Sequence, residues 1–182
     1  MSTLIAPDEP AEETLRDRLR ACRAEGRPGV PAAELVVYLR DVAAELDALH
    51  ALGGLHRNVA PDTIGVGNGR ARLLPAGLPP DDGGTFAGRP VYMAPEVWAG
   101  TRGPADEQYS LAATYVEARL GHPPFVRPDF VTLMQAQLDE QPDLDGLPGP
   151  ERRAVGRALA KVPTDRYATC GALARAIGEC LG

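Results

Sequence analysis

The chain has 182 residues, of which 44% are hydrophobic, and this is enough for one domain with a buried core. Its formal net charge of −6, without a cluster of Lys and Arg, excludes an ordinary nucleic-acid binder, whose affinity comes mainly from basic patches. The three cysteines form no C-x-x-C pair, so they predict neither a disulfide framework nor a zinc site and favour a reduced, cytoplasmic setting. No signal peptide and no apolar run of about 18 residues are present, so we expect no membrane contact.

Apolar spacing in the first third of the chain predicts two helices. Thr14 is a candidate cap for a helix over 15–25, and Pro31 is a favourable first residue for a longer helix that extends to about Leu52. Along the longer helix, aliphatic residues recur every three or four positions: Leu35, Leu39, Val42, Leu46 and Leu49. This is the strongest helical pattern in the chain.

Two short strands and then further helices are predicted beyond residue 60. The strands cover 63–66 and 70–74, and the Gly67-Asn68-Gly69 stretch between them is typical of a hairpin turn. A loop rich in Pro, Asp and Gly follows at 79–84. The remaining helices are predicted at 107–120, 129–138, 150–160 and 168–181. We find no internal repeat.

Three stretches resemble, in order, the sequence motifs of a protein kinase catalytic core. The sequence HRNVAPDTI at 56–64 resembles the family's H-R-D-x-K-P-x-N-I, RLLPAG at 72–77 stands where the family has a strand followed by D-F-G, and VYMAPE at 91–96 resembles Y-M-A-P-E. The order of the three stretches is also that of the family. The residues that frame the site are present, whereas its reactive residues have been exchanged.

Three later stretches extend the resemblance. The sequence ADEQYSL at 105–111 resembles S-D-x-Y-S-L, GHPPF at 121–125 resembles T-G-x-P-P-F, and ALAKVPTDRY at 158–167 is similar to A-L-x-K-D-P-x-x-R-Y. The whole set spans about 15–177. By this resemblance, the chain is identified as the C-terminal lobe of a bacterial eukaryotic-like (Hanks-type) serine/threonine protein kinase.

The resemblance implies a mainly α fold, a kinase-like C-terminal lobe in which a helical bundle carries one small β-hairpin. We expect residues 15–182 to form this domain. Residues 1–14 are too few for the family's N-terminal lobe, with its Gly-rich loop and lysine-bearing strand, so we expect that lobe to be absent. Within this N-terminal segment, residues 3–6 correspond at most to the last strand before the hinge. We expect them to pair as an extra strand beside the hairpin strand at 70–74.

Four positions depart from the chemistry that phosphoryl transfer needs, namely a carboxylate base, a cation and magnesium ligands. By resemblance, Asn58 stands at the catalytic aspartate, Ala60 at the phosphate-contacting lysine, Thr63 at the metal-binding asparagine and Pro75 at the D-F-G aspartate. An amide has no basicity near neutral pH, and proline offers no side-chain ligand. We therefore expect no catalysis, no bound nucleotide and no metal cofactor.

Nearby acidic and histidine side chains do not obviously replace these groups. Asp62 precedes the failed metal position and is more typical of a turn cap, and Asp81 and Asp82 fall in the predicted loop. His50 and His122 have no second ligand at suitable spacing, so neither is predicted to bind a metal. The chain is interpreted as a pseudokinase rather than an enzyme.

Several residues are interpreted as structural by resemblance to the family. His56 and Arg57 would pin the loop to the core, and Glu96 and Arg166 would form the ion pair that ties the activation segment to the late helices. Glu107 stands where the family has an aspartate that holds the loop backbone from the start of a helix. Its longer side chain still favours the positive helix end.

Interaction with another protein is the leading functional hypothesis. The face left by the missing lobe is one candidate contact, and the partner is another protein, such as a kinase or its substrate, or a second copy of the chain. A second candidate surface covers 125–138 and includes Phe125, Phe130, Leu133 and Met134, although Phe125 and Leu133 are more typical of residues packed inside the lobe. Trp98 is a separate candidate for the interface, but it is more typical of an anchor for the segment after 94–96. Two alternatives stay open: a serine/threonine kinase-related enzyme completed by another chain or using non-standard residues, and a gene product without a role.

Overall fold

The regular structure consists mainly of helices. The computed structural model describes residues 13–77 and 89–181, and a two-stranded antiparallel sheet lies beside the helices in these ranges. In chain order, the elements are α1 (Leu15–Ala24), α2 (Ala32–Ala51), β1 (Ile64–Gly67), β2 (Arg70–Leu73), α3 (Pro104–Leu120), α4 (Phe130–Asp139), α5 (Gly149–Ala158) and α6 (Cys170–Glu179), with short 3-10 turns between them. The predicted mainly α fold with one hairpin is confirmed.

Polar caps determine where several helices begin. Thr14 and Asp17 form a reciprocal capping box at α1, and Asp129 and Thr169 accept backbone N–H groups at the starts of α4 and α6. The prediction that α3 begins at residue 107 was wrong by one turn. Pro104 takes its first position, where a missing N–H costs nothing. Across the described residues, no helix is long and apolar enough to span a bilayer.

Helices α2 and α3 form the centre of the core. α2 packs against α6, β2 and α3, and its buried face is the predicted leucine-rich one. α3 is buried on most sides, as its small and apolar residues indicated. The largest fully buried side chains come from nearly every element of the lobe and include Leu35, Leu46, Tyr109, Tyr115, Leu159, Leu173 and Ile177.

The hairpin turn has the backbone that its sequence predicts. Ile64 pairs with Leu73 and Gly67 with Arg70, so a two-residue loop of Asn68 and Gly69 joins the strands. Both loop residues have positive φ, 51° and 72°, as in the turn type that suits tight hairpins.

Carboxylates of α2 cover the outer edge of β2. Asp41 accepts the backbone N–H of Ala71 at 3.0 Å, and Glu45 accepts that of Leu73 at 2.9 Å. These are donors that an added strand would need. The expected extra strand at 3–6 lies outside the described residues, but residues 13–14 run beside β1, where the Val66 N–H donates to the Glu13 carbonyl at 2.7 Å.

Asp106 gives the lobe a pH dependence that can be tested. It is 3% exposed and accepts the Gly103 N–H at 2.7 Å, and burial raises its pKa to about 6. Between about pH 4 and pH 6 the folded state therefore binds more protons than the unfolded state, and stability falls as pH rises. Asp106→Asn removes this term, so its melting temperature should gain on wild type between about pH 4.5 and about pH 7.5.

Asp129→Asn is the matched control for this pH series. The Asp129 carboxylate is exposed, and hydrogen bonds from Thr132 hold its pKa below its usual value. Its stabilisation is lost only as pH falls below that window, so its offset from wild type should stay constant across the series. Thermal melts that show equal offsets for Asp106→Asn at both ends would contradict the burial argument.

Candidate functional site

The loop that resembles the kinase catalytic loop is held by side chains from the helices beneath it. The buried Glu107 carboxylate accepts the backbone N–H of Arg57 through Oε1 and contacts His50 Nε2 through Oε2 at 2.7 Å. Arg57 has a positive φ of 69°, which is uncommon for a residue with a side chain. His56 Nε2 lies 2.7 Å from the Leu74 carbonyl oxygen. These contacts fix the loop to α2, α3 and the end of the hairpin.

Residues at the positions where the chain departs from the kinase motifs form hydrogen bonds with the backbone. Asn58 Nδ2 donates to the Ala76 carbonyl at 2.7 Å, next to Pro75. Thr63 Oγ1 donates to the Asn58 carbonyl at 2.5 Å and accepts the Ala60 N–H at 3.1 Å. Ala60 is fully buried. The loop therefore holds its own shape with polar groups that offer neither a carboxylate nor a cation.

Asp62 is the carboxylate closest in sequence to the altered metal position, and two arginines hold it. Its Oδ2 accepts from Arg16 Nε at 3.2 Å and from Arg89 Nη1. Arg16 also pairs with the buried Glu117, whose Oε2 accepts from the Tyr92 hydroxyl. Burial beside this carboxylate raises the Tyr92 pKa. Asp62 therefore acts in an ion-pair network rather than as the predicted turn cap. The other two candidate carboxylates, Asp81 and Asp82, lie outside the described residues.

A shallow cleft lies beside the loop and is lined by polar and basic side chains. About 220 Å³ of open space is bounded by Arg57, Asn58, Val59, Arg89, Tyr92, Met93, Arg102 and Ser110. Among the described residues that line it there is no carboxylate, the group through which proteins usually hold magnesium.

Arg166 joins the segment after residue 90 to the late helices. Its guanidinium is fully buried and makes two parallel bonds to Glu96, Nη1 to Oε1 at 2.6 Å and Nη2 to Oε2 at 2.8 Å. It also donates to the carbonyls of Ala105 at 3.0 Å and Ala160 at 2.8 Å. Such a forked pair has both charge and shape complementarity. It holds together parts of the chain that are 70 residues apart.

The expected interface residues separate into buried and accessible ones. Phe125 is 2% exposed and packs with Leu133 and Ala136, under a Lys161 ammonium 4.5 Å from its ring centre. Its place in the expected interface is corrected, because a buried ring adds no surface. Phe130 is 47% exposed and meets the Trp98 ring edge-to-face at 5.2 Å. Trp98 and Met134 are partly buried.

Most of the exposed large apolar side chains lie at one helix. Phe130, Val131 and Leu138 are on α4, Val126 precedes it, and Val162 follows Lys161, whose Nζ donates to carbonyls at the end of α4. We call these five residues the α4 surface. The sixth such side chain, Leu52, lies just beyond the end of α2, so within the described ranges neither α2 nor the hairpin carries one.

A group of potential metal ligands was not predicted from the sequence. Asp47, His50 and Cys170 each place one ligand atom within 4.8 Å of the others. The prediction that His50 has no second ligand at suitable spacing overlooked Asp47, and Cys170 is far away in the chain. The Asp47-x-x-His50 spacing, one helical turn apart, was the available signal.

Comparisons with known proteins agree with this architecture. The chain is 35% identical over 161 residues to the serine/threonine-protein kinase PknI of Mycobacterium tuberculosis, and 35% identical over 173 residues to PknF of the same species. These alignments cover 84% and 85% of the chain but 25% and 36% of the two relatives. The chain therefore spans about a third or less of their length. No family model matches it.

The solved structures define the fold class. The crystal structure of the M. tuberculosis PknI kinase domain superimposes with a TM-score of 0.65 at 28% identity, over 89% of this chain and 61% of that one. Together with the helical bundle and hairpin, this match defines a protein kinase-like C-terminal lobe. The chain is related to the bacterial serine/threonine protein kinases and resembles the C-terminal lobe of their kinase domain.

Loss of the buried Arg166 pair should cost more stability than loss of an exposed ion pair. Arg166→Met leaves Glu96 and the carbonyls of Ala105, Ala160 and Lys161 without this donor, so we expect a loss of about 3–5 kcal/mol in the free energy of unfolding. Arg20→Met, which removes an exposed partner of Asp17, should cost less than about 0.5 kcal/mol. Urea denaturation of both variants measures the difference. Similar losses for the two would show that the buried pair has no special weight.

Proposed function

We propose that this kinase-like lobe is catalytically inactive, a pseudokinase, and acts in the cytoplasm as a protein-interaction or regulatory module. One observation carries the proposal: Asn58, Ala60, Thr63 and Pro75 replace the groups that phosphoryl transfer uses, and the first three are engaged in holding the loop. The chain has the fold of the related serine/threonine kinases, but these four exchanges replace the side chains that carry out the reaction.

The chemical deficit is large. General-base catalysis contributes about 10²–10⁴-fold to an enzyme rate, and Asn58 cannot supply it. The cation that neutralises the transferred phosphate is missing at Ala60, and Pro75 offers no ligand to a metal. Asp62, the nearest described carboxylate, already balances two guanidinium groups. Recruiting it as a metal ligand would leave Arg16 and Arg89 without that partner.

The α4 surface supports the interaction role. Its Phe130, Val131 and Val162 are 47%, 54% and 52% exposed, and grouped exposed apolar residues commonly mark a contact with another protein. The face that would meet an N-terminal lobe carries mainly small and charged exposed residues along α2. We therefore favour the α4 surface over that face as the contact with a partner protein or a second copy.

A kinase-related enzyme, completed by another chain or using non-standard residues, is the second candidate. It is supported by the relatives PknI and PknF, which are both serine/threonine-protein kinases, and by the 61% coverage of the PknI kinase domain. Under this alternative, the missing part of the nucleotide site is supplied from outside the described residues.

Nucleotide binding and phosphoryl transfer separate the two candidates. We expect no magnesium-dependent rise in melting temperature with ATP or ADP, and no label moved from γ-labelled ATP to any acceptor, because the ligands and base are missing. A bacterial serine/threonine kinase domain serves as the positive control. Label transfer that Asp62→Asn abolishes without unfolding the chain would establish the enzyme instead.

The α4 surface can be tested with a pair of charge substitutions. Val131→Glu should weaken association because it places a charge in the apolar patch, whereas Leu52→Glu, at a residue 87% exposed and away from α4, should not. Both side chains are exposed, so thermal stability should change little. Light scattering over a concentration series reports self-association, and affinity capture with mass spectrometry reports a partner. A monomer without a partner would refute the interaction role, and equal effects of both variants would refute the α4 surface as the contact.

A further inference from the structure

Three side chains from two helices meet beside Glu107. Asp47 and His50 lie one turn apart on α2, and Cys170 is the first residue of α6. One ligand atom of each lies within 4.8 Å of those of the other two. Carboxylate, imidazole and thiolate are ligands of Zn²⁺ and related divalent cations. The tertiary fold has thus assembled a mixed ligand set that neither helix contains alone.

Two of the three donor groups are available. The Cys170 side chain is fully buried, and within 13–77 and 89–181 its Sγ forms no hydrogen bond. His50 engages Glu107 through Nε2 at 2.7 Å, which leaves Nδ1 for a ligand. Metal-binding histidines usually bond a carboxylate through the second ring nitrogen, and this partner fixes the ring and raises its basicity. Glu107, 1% exposed, provides such a partner.

Asp47 completes the arrangement without losing its existing bonds. Its two carboxylate oxygens accept the N–H groups of Cys170 and Gly171, each at 2.9 Å. Each oxygen keeps a second lone pair. A Cβ at position 171 would come within 2.8 Å of Asp47 Oδ2, so glycine leaves the room that this carboxylate occupies. Asp47 is partly exposed, which gives an ion a route from solvent.

We propose that Asp47, His50 and Cys170 bind a divalent transition cation of the Zn²⁺ class, with Glu107 orienting His50. On binding, the Cys170 S–H bond breaks, its proton leaves to solvent and a sulfur–metal bond forms. The ion joins α2 to the start of α6 and stabilises the lobe at the base of the loop. The site is separate from the four altered positions, so it stands whether or not the chain transfers phosphate.

The test is a titration of the purified chain with Co²⁺ after treatment with a chelator. We expect a thiolate-to-cobalt absorption band that Zn²⁺ displaces, and a higher melting temperature with Zn²⁺. Cys170→Ser should lose the band, whereas Cys180→Ser, a change at a partly exposed thiol outside the cluster, should keep it. Asp47→Asn should weaken Co²⁺ binding by at least about tenfold, the lower end of the loss seen even for outer-shell partners.

A wild-type chain without a cobalt band overturns the proposal, and this measurement needs no variant. A band that survives in folded Cys170→Ser, or that disappears equally in Cys180→Ser, also overturns it, because the ion is then bound elsewhere. Far-ultraviolet circular dichroism shows which variants are folded. If Cys170→Ser does not fold, the wild-type band and its weakening in Asp47→Asn decide the question.

Discussion

The conformation of the loop at 56–64 depends on the buried Glu107 carboxylate. It accepts the backbone N–H of Arg57, in an uncommon positive-φ conformation, and meets His50 on α2. A strained backbone conformation of this kind is stable only when the surrounding contacts hold it in place. Because Glu107 lies in the first turn of α3, its charge also faces the positive end of that helix. The Glu107 side chain therefore connects the loop to α2 and α3.

Shape and chemistry are separable in this lobe. The framework contacts, His56 to the Leu74 carbonyl and Arg166 to Glu96, do not involve the reacting groups. The residues at the reacting positions contribute in a different way, since Asn58 and Thr63 bond to nearby carbonyls. Exchanging an acid for an amide at such a place retains polar contacts while it removes basicity. This is the physical basis of the inactivity that we propose for the kinase-like fold.

The neighbourhood of Glu107 also shows how one anchor can serve two purposes. The carboxylate that holds the loop also faces His50, and His50 lies beside Asp47 and Cys170. A cation bound there would act on the same helices that position the loop. One physical link between the proposed cation site and the loop is the His50 ring, because Glu107 contacts its Nε2.

The sequence by itself determined the helical periodicity, the Asn68-Gly69 turn, the kinase resemblance and the exchanged residues at four of the family's mechanistic positions. These features are local, because each follows from the spacing or the type of residues that are close in the sequence. Tertiary structure alone decided that Asp62 pairs with arginines, that Phe125 is buried and that Cys170 reaches Asp47 and His50. Those contacts depend on which distant segments of the chain meet in the fold. Burial and ion pairing between distant segments produce no local pattern in the sequence, so the sequence alone did not predict them.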